Sequence, residues 1–113
     1  MFIRESRREY SPDRWVVLYY PSDDVYAILG GWSGGYLHGA SWRRSTPIQH
    51  VVEHDEHYEV HNSSGSVYML HKDAYGMNGI MSQIYPSLGA GTALDKDEAL
   101  EVIEIYKGEK SEH

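Results

Sequence analysis

The run Arg14–Tyr20 (RWVVLYY) is β-branched and aromatic with no polar interruption, which reads as a strand. Pro21–Asp24 follows as a turn: proline presets φ, and Ser22 and Asp23 offer local side-chain hydrogen bonds. Val25–Leu29 is a second strand at hairpin distance. A third is expected within 36–44, ended by Ser45-Thr46-Pro47. Between these lies a glycine-rich stretch, Gly30–Gly39, in which five glycines alternate with Trp32 and Tyr36. Alternation returns in Ile48–His54 and His57–Asn62, which read as a hairpin around Asp55-Glu56. The turn residues Asn62–Gly65 then lead into a further strand, Ser66–His71.

After Lys72 the period changes from 2 to 3.6. Met77, Ile80, Met81, Ile84 and Tyr85 fall on one face of a helix capped by Asn78 and stopped by Pro86. The last element carries Ala99, Val102, Ile103 and Tyr106 as its apolar stripe. Asp95 and Glu98 stand at capping-box spacing, and Lys107 and Gly108 mark its end. The pattern predicts an α+β fold: an antiparallel sheet of about five short strands (14–71), then two helices (78–85 and 96–107) packed on one face. Residues 1–13 are expected to be a flexible arm, 14–108 a single domain and 109–113 a frayed tail.

Composition narrows the chemistry. The chain has 113 residues and no cysteine, which excludes disulfides, thiol catalysis and every cysteine metal site. No apolar stretch approaches the roughly 18 residues of a membrane helix, and the charged start does not resemble a secretory signal, so a soluble cytoplasmic protein is expected. Ten Lys+Arg against seventeen Asp+Glu give a net charge of −7. Residues 1–44 hold six basic and five acidic residues, net +1. Residues 45–113 hold four basic and twelve acidic, net −8. A surface this negative repels nucleic-acid backbones and attracts a basic protein.

Three groups of residues could carry function. His50, His54, His57 and His61 are spaced 4, 3 and 4 apart. In a hairpin turning at Asp55-Glu56, all four share one sheet face with Glu59, while Val51, Tyr58 and Val60 take the other. Cross-strand imidazoles can chelate a divalent metal such as zinc, and clustered histidines can also sense pH. Trp32, Tyr36, Trp42, Arg43 and Arg44 sit among Gly and Ser, the mixture of rigid anchors and adaptable small residues found at protein-binding surfaces. Asp97, Glu101 and Glu104 lie at helical spacing on the last helix, a charged stripe for a basic partner.

Gly31–Gly35 matches the G-x-S-x-G form of a nucleophile elbow around Ser33, but an elbow needs a helix directly after the serine, and here glycines follow. His38 and His71 could serve acid–base chemistry, yet no spacing selects a reaction. The reading favoured is a non-enzymatic acidic protein-binding module needing no cofactor. It would inhibit or regulate a larger basic, nucleic-acid-handling complex without touching nucleic acid or membrane. A histidine-cluster metal-binding protein is the alternative, and a small enzyme the third. In size and composition only, the chain resembles the inhibitors encoded by phages and plasmids, such as anti-CRISPR and anti-restriction proteins. That resemblance covers no motif and carries no site residue across.

Overall fold

The computed structural model describes residues 8–35 and 39–110. Its elements are β1 (Glu9–Tyr10), β2 (Arg14–Tyr20), β3 (Val25–Gly35), β4 (Gly39–Arg44), β5 (Ile48–Glu53), β6 (His57–Asn62), β7 (Val67–His71), α1 (Gly79–Ile84), β8 (Thr92–Ala93) and α2 (Lys96–Lys110). Short 3-10 turns at Lys72–Ala74 and Tyr85–Leu88 flank α1. The class is α+β. The eight strands form two four-stranded sheets, a central one ordered β4-β3-β2-β8 and an outer one ordered β1-β7-β6-β5. All pairings within them are antiparallel except β1 with β7.

The second sheet and the two faces used by the helices depart from the sequence expectation for one reason. Trp15 to Leu18 and Ala27 to Leu29 are all at most 3% exposed, so the central sheet is covered on both sides. Trp15, Val17 and Ile28 face Ile48, Val51, Tyr58, Val60, Tyr68 and Leu70 of the outer sheet, together with Ala99, Val102 and Ile103 of α2. Val16, Leu18 and Leu29 point the other way and are capped by Met81 of α1. The helices therefore take different faces, because each apolar face needs its own cover. Burying each of these larger side chains stabilises by about 1.5–3 kcal/mol before conformational entropy is counted.

The glycines explain why β3 continues past Leu29. A Cβ on Gly30 would lie 2.9 Å from the Pro12 ring, and one on Gly31 would lie 2.5 Å from Met81. The glycine run is thus a strand interior against which neighbours pack closely, not a linker. The chain leaves the central sheet at Ser45. There the Ser45 amide donates to the Ile28 carbonyl, and the Ser45 hydroxyl accepts from the Ile28 amide, at 2.8 Å each.

Of the expected arm, residues 1–7 lie outside the described residues, and Glu9–Tyr10 form β1 in register with Val67–Tyr68. The expected tail begins inside α2, which passes through Gly108 to Lys110; residues 111–113 lie outside the description. Both helix caps form as the sequence suggests. Asn78 Oδ1 accepts from the Met81 amide at 3.1 Å. Asp95 Oδ1 accepts from the Glu98 amide while Glu98 Oε1 accepts from the Asp95 amide, a reciprocal box.

Candidate functional site

The histidine hairpin has the register its alternation dictates: His50 opposes His61, Val52 opposes Glu59, and the His54 amide donates to the His57 carbonyl across the turn. Val51, Tyr58 and Val60 are buried below. On the outer face the imidazoles stack in two pairs, His50 on His61 with centroids 4.3 Å apart and His54 on His57 at 4.5 Å. Glu59 stands between the pairs. Its Oε1 is 2.8 Å from His54 Nε2 and its Oε2 is 2.8 Å from His61 Nε2. The His54 hydrogen bond, helped by that of His61, holds the Glu59 carboxyl below its ordinary range against the opposing effect of burial.

One histidine of this face was not assigned to it from the sequence. His71 of β7 opposes His57 of β6, whose carbonyl accepts from the amide of His54 just past β5, so His54, His57 and His71 are neighbours at this end of the outer sheet. The β6–β7 register supplies that placement, and His spacing within one hairpin cannot. Stacked rings lie face over face instead of converging on a point. Among the described residues, no group of three or more His, Cys, Asp or Glu is placed to hold a metal ion.

The aromatic and arginine residues of 32–44 divide between two faces. Trp42 opposes Gly31, on the side of α1, and is 40% exposed. Arg44 lies on that side too, where it donates to the Tyr20 hydroxyl at 3.0 Å. Trp32 and Arg43 meet around Tyr10 instead. The Trp32 ring sits edge-on to Tyr10 at 6.4 Å, and the Arg43 guanidinium lies 4.4 Å from the Tyr10 centroid. Trp32 also donates from Nε1 to the Ser11 carbonyl at 3.1 Å, which ties it to the β1–β2 link. The four described residues, Trp32, Trp42, Arg43 and Arg44, therefore do not form one patch. Tyr36 and His38 lie outside the described residues.

Ser33 is held by Asp13, whose carboxylate accepts from both the Ser33 amide at 2.8 Å and the Ser33 hydroxyl at 3.1 Å. It lies within β3, not at a strand-to-helix turn. On α2, Asp97, Glu101 and Glu104 are exposed, with Ile105 58% exposed beside them. Glu104 pairs with Lys107 at 2.8 Å, and Lys107 also pairs with Glu53 of β5, fixing the helix to the outer sheet.

Among the described residues no helix is long and apolar enough to cross a membrane. The class these observations define is a small two-sheet α+β protein with a histidine-rich open face and an acidic helix. Comparison with protein-family models, with curated proteins and with solved structures gave no match.

Proposed function

We propose that the protein is a non-enzymatic recognition module that docks on a larger, basic protein and inhibits or regulates it, in the manner of phage- and plasmid-encoded inhibitors. One observation carries this reading. The two large apolar side chains left exposed among the described residues are Trp42 and Ile105, and each stands among the residues marked for recognition. Ile105 sits beside the Asp97–Glu101–Glu104 stripe, and Trp42 is on the same side of β4 as Arg44, β4 being an edge strand whose six residues are all exposed. An apolar anchor within a charged rim is the usual anatomy of a docking surface. The net charge of −8 on residues 45–113 steers a basic partner towards it.

The test compares pull-downs, through a tag other than polyhistidine, from nuclease-treated lysate of the source cell or its host. Wild type is set against Ile105→Glu and against Asp97→Lys/Glu101→Lys. A basic protein captured at low salt by wild type and lost with both variants, at unchanged thermal midpoint, supports the reading. Capture that neither variant alters overturns it.

A second reading, metal handling at the histidine face, has its own support. Glu59 accepts from two imidazoles, the orienting arrangement that carboxylates provide to ligating histidines. Elemental analysis of tag-free protein decides it: near-stoichiometric zinc or nickel supports it, and less than about a tenth of an equivalent removes it.

A further inference from the structure

A cleft of about 620 Å³ opens where the link leaving β4 meets the β6–β7 turn and β1. That size falls in the range of sites for small molecules. Its lining includes Arg8, Arg43, Thr46, Ser64, Ser66 and Tyr68, and among the described residues that line it none is acidic, although the chain carries seventeen carboxylate side chains. Arg44 lies at the margin, with its guanidinium committed to Tyr20.

Two features suit this cleft to an anion. First, Arg43 is held by an aromatic ring. Its guanidinium carbon lies 4.4 Å from the Tyr10 centroid, a cation–π contact that does not use the N–H groups as donors. Tyr10 is held in turn against Tyr68, centroids 5.2 Å apart, so the charge is mounted on a packed support. Second, the hydroxyls form a directed chain. Thr46 Oγ1 donates to Ser64 Oγ at 3.0 Å, and Ser64 Oγ donates to Ser66 Oγ at 3.3 Å. Asn62, 2% exposed, adds a second donation into Ser66 Oγ at 3.2 Å. Ser66 Oγ thus takes part in two hydrogen bonds at the cleft wall, where a hydroxyl of this chain can donate to a ligand.

We propose that this cleft binds a phosphate group, free or as a small phosphomonoester, between the Arg8 and Arg43 guanidiniums and the Ser66 hydroxyl. Two forked cations and a hydroxyl suit the several acceptor oxygens and the double charge of phosphate. The overall acidity is not carried by the cleft, whose described lining holds three arginines and no carboxylate. A long nucleic-acid backbone would still meet the acidic remainder. The proposal is independent of the docking surface on α2.

The experiment is an amide NMR titration of the full ¹⁵N-labelled chain at neutral pH with inorganic phosphate, with glucose 6-phosphate and with glucose. Saturable shifts at Thr46, Ser64, Gly65 and Ser66 with both phosphates and none with glucose are expected. Arg8→Gln and Arg43→Gln should each weaken binding about tenfold, the usual scale for losing one charge-assisted contact. Tighter binding of glucose 6-phosphate would assign the cleft to phosphomonoesters, and equal binding to phosphate itself; either supports the proposal. It is overturned if no shift saturates by about 10 mM ligand, or if neither arginine variant changes the affinity. Should Arg43→Gln lose the fold through its contact with Tyr10, the exposed Arg8 carries the comparison alone.

Discussion

The Trp15 indole Nε1–H donates to the His71 carbonyl at 2.7 Å, joining the first strand of the central sheet to the last residue of β7 across 56 positions. Trp15 is 1% exposed and packs edge-on against Tyr58 and Tyr75, so this bond closes the core where the two sheets meet. Trp15→Phe retains an aromatic ring but removes the donor, leaves the His71 carbonyl without it, and opens a small cavity. A loss of about 2–4 kcal/mol is expected from these two costs together. Urea unfolding should show the lower midpoint with an unchanged m-value.

Gly31 and Gly79 make opposite predictions for the same substitution. A Cβ at Gly31 meets Met81 Cγ at 2.5 Å and Asn78 Oδ1 at 2.9 Å, whereas a Cβ at Gly79 meets nothing within 4 Å. Gly31→Ala should therefore cost about 1–3 kcal/mol by forcing Met81 and α1 away from β3. Gly79→Ala, in the first turn of α1, should be neutral or stabilising by up to about 1 kcal/mol. Paired thermal melts check both. Equal midpoints for the two variants would contradict the packing of α1 on the glycine strand.

Trp32 and Trp42 should separate in the same way. Trp32→Ala removes a ring packed on Tyr10 and the hydrogen bond to Ser11, so a fall of about 1–3 kcal/mol in stability is expected. Trp42→Ala, on the exposed side of an edge strand, should stay within about 0.5 kcal/mol of wild type. Guanidinium titrations measure the difference.

Acid should weaken the clamp at Glu53. Hydrogen bonds from Lys107 first and Lys72 second pull this carboxyl from its ordinary value of 4.5 down to about 2. The folded value lies below the unfolded one, so the stabilisation is complete above about pH 4.5 and is lost as pH falls towards 2. Glu53→Gln should be the less stable protein at neutral pH, with the gap to wild type closing between those limits. The gap stays modest because the pair is well exposed. A pH series of urea midpoints for the two proteins checks the sign.

The hairpin of β5 and β6 was legible because one face of it is buried. Val51, Tyr58 and Val60 had to share a side, and that alone placed His50, His54, Glu59 and His61 together on the other. Both helices were legible from their period and their caps. The division into two sheets was not, since β4 and β5 follow each other in sequence yet join different sheets, and β1 and β8, two residues each and too short to alternate, are recruited by distant partners. The faces of Trp32 and Trp42 depend on the β3–β4 register and its irregularity between Trp32 and Gly35, which glycines leave unmarked. The cleft was invisible for a related reason. Arg8, Arg43 and Ser66 are remote in sequence and meet only after β1 has joined β7.

Pairing of β1 with β7, and of β8 with β2, also fixes an order of assembly. Residues 9–10 wait for residues 67–68, and Leu18 and Tyr19 wait for Thr92 and Ala93, so neither sheet gains its last strand until distant chain has been synthesised. The β5–β6–β7 meander needs only residues 48–71 and can form early and locally. A growing chain on the ribosome therefore holds Val16, Leu18 and Leu29 uncovered until Met81 has emerged. Folding dominated by such long-range closures belongs to the millisecond-to-second regime, and this interval is when the nascent protein is most exposed to aggregation.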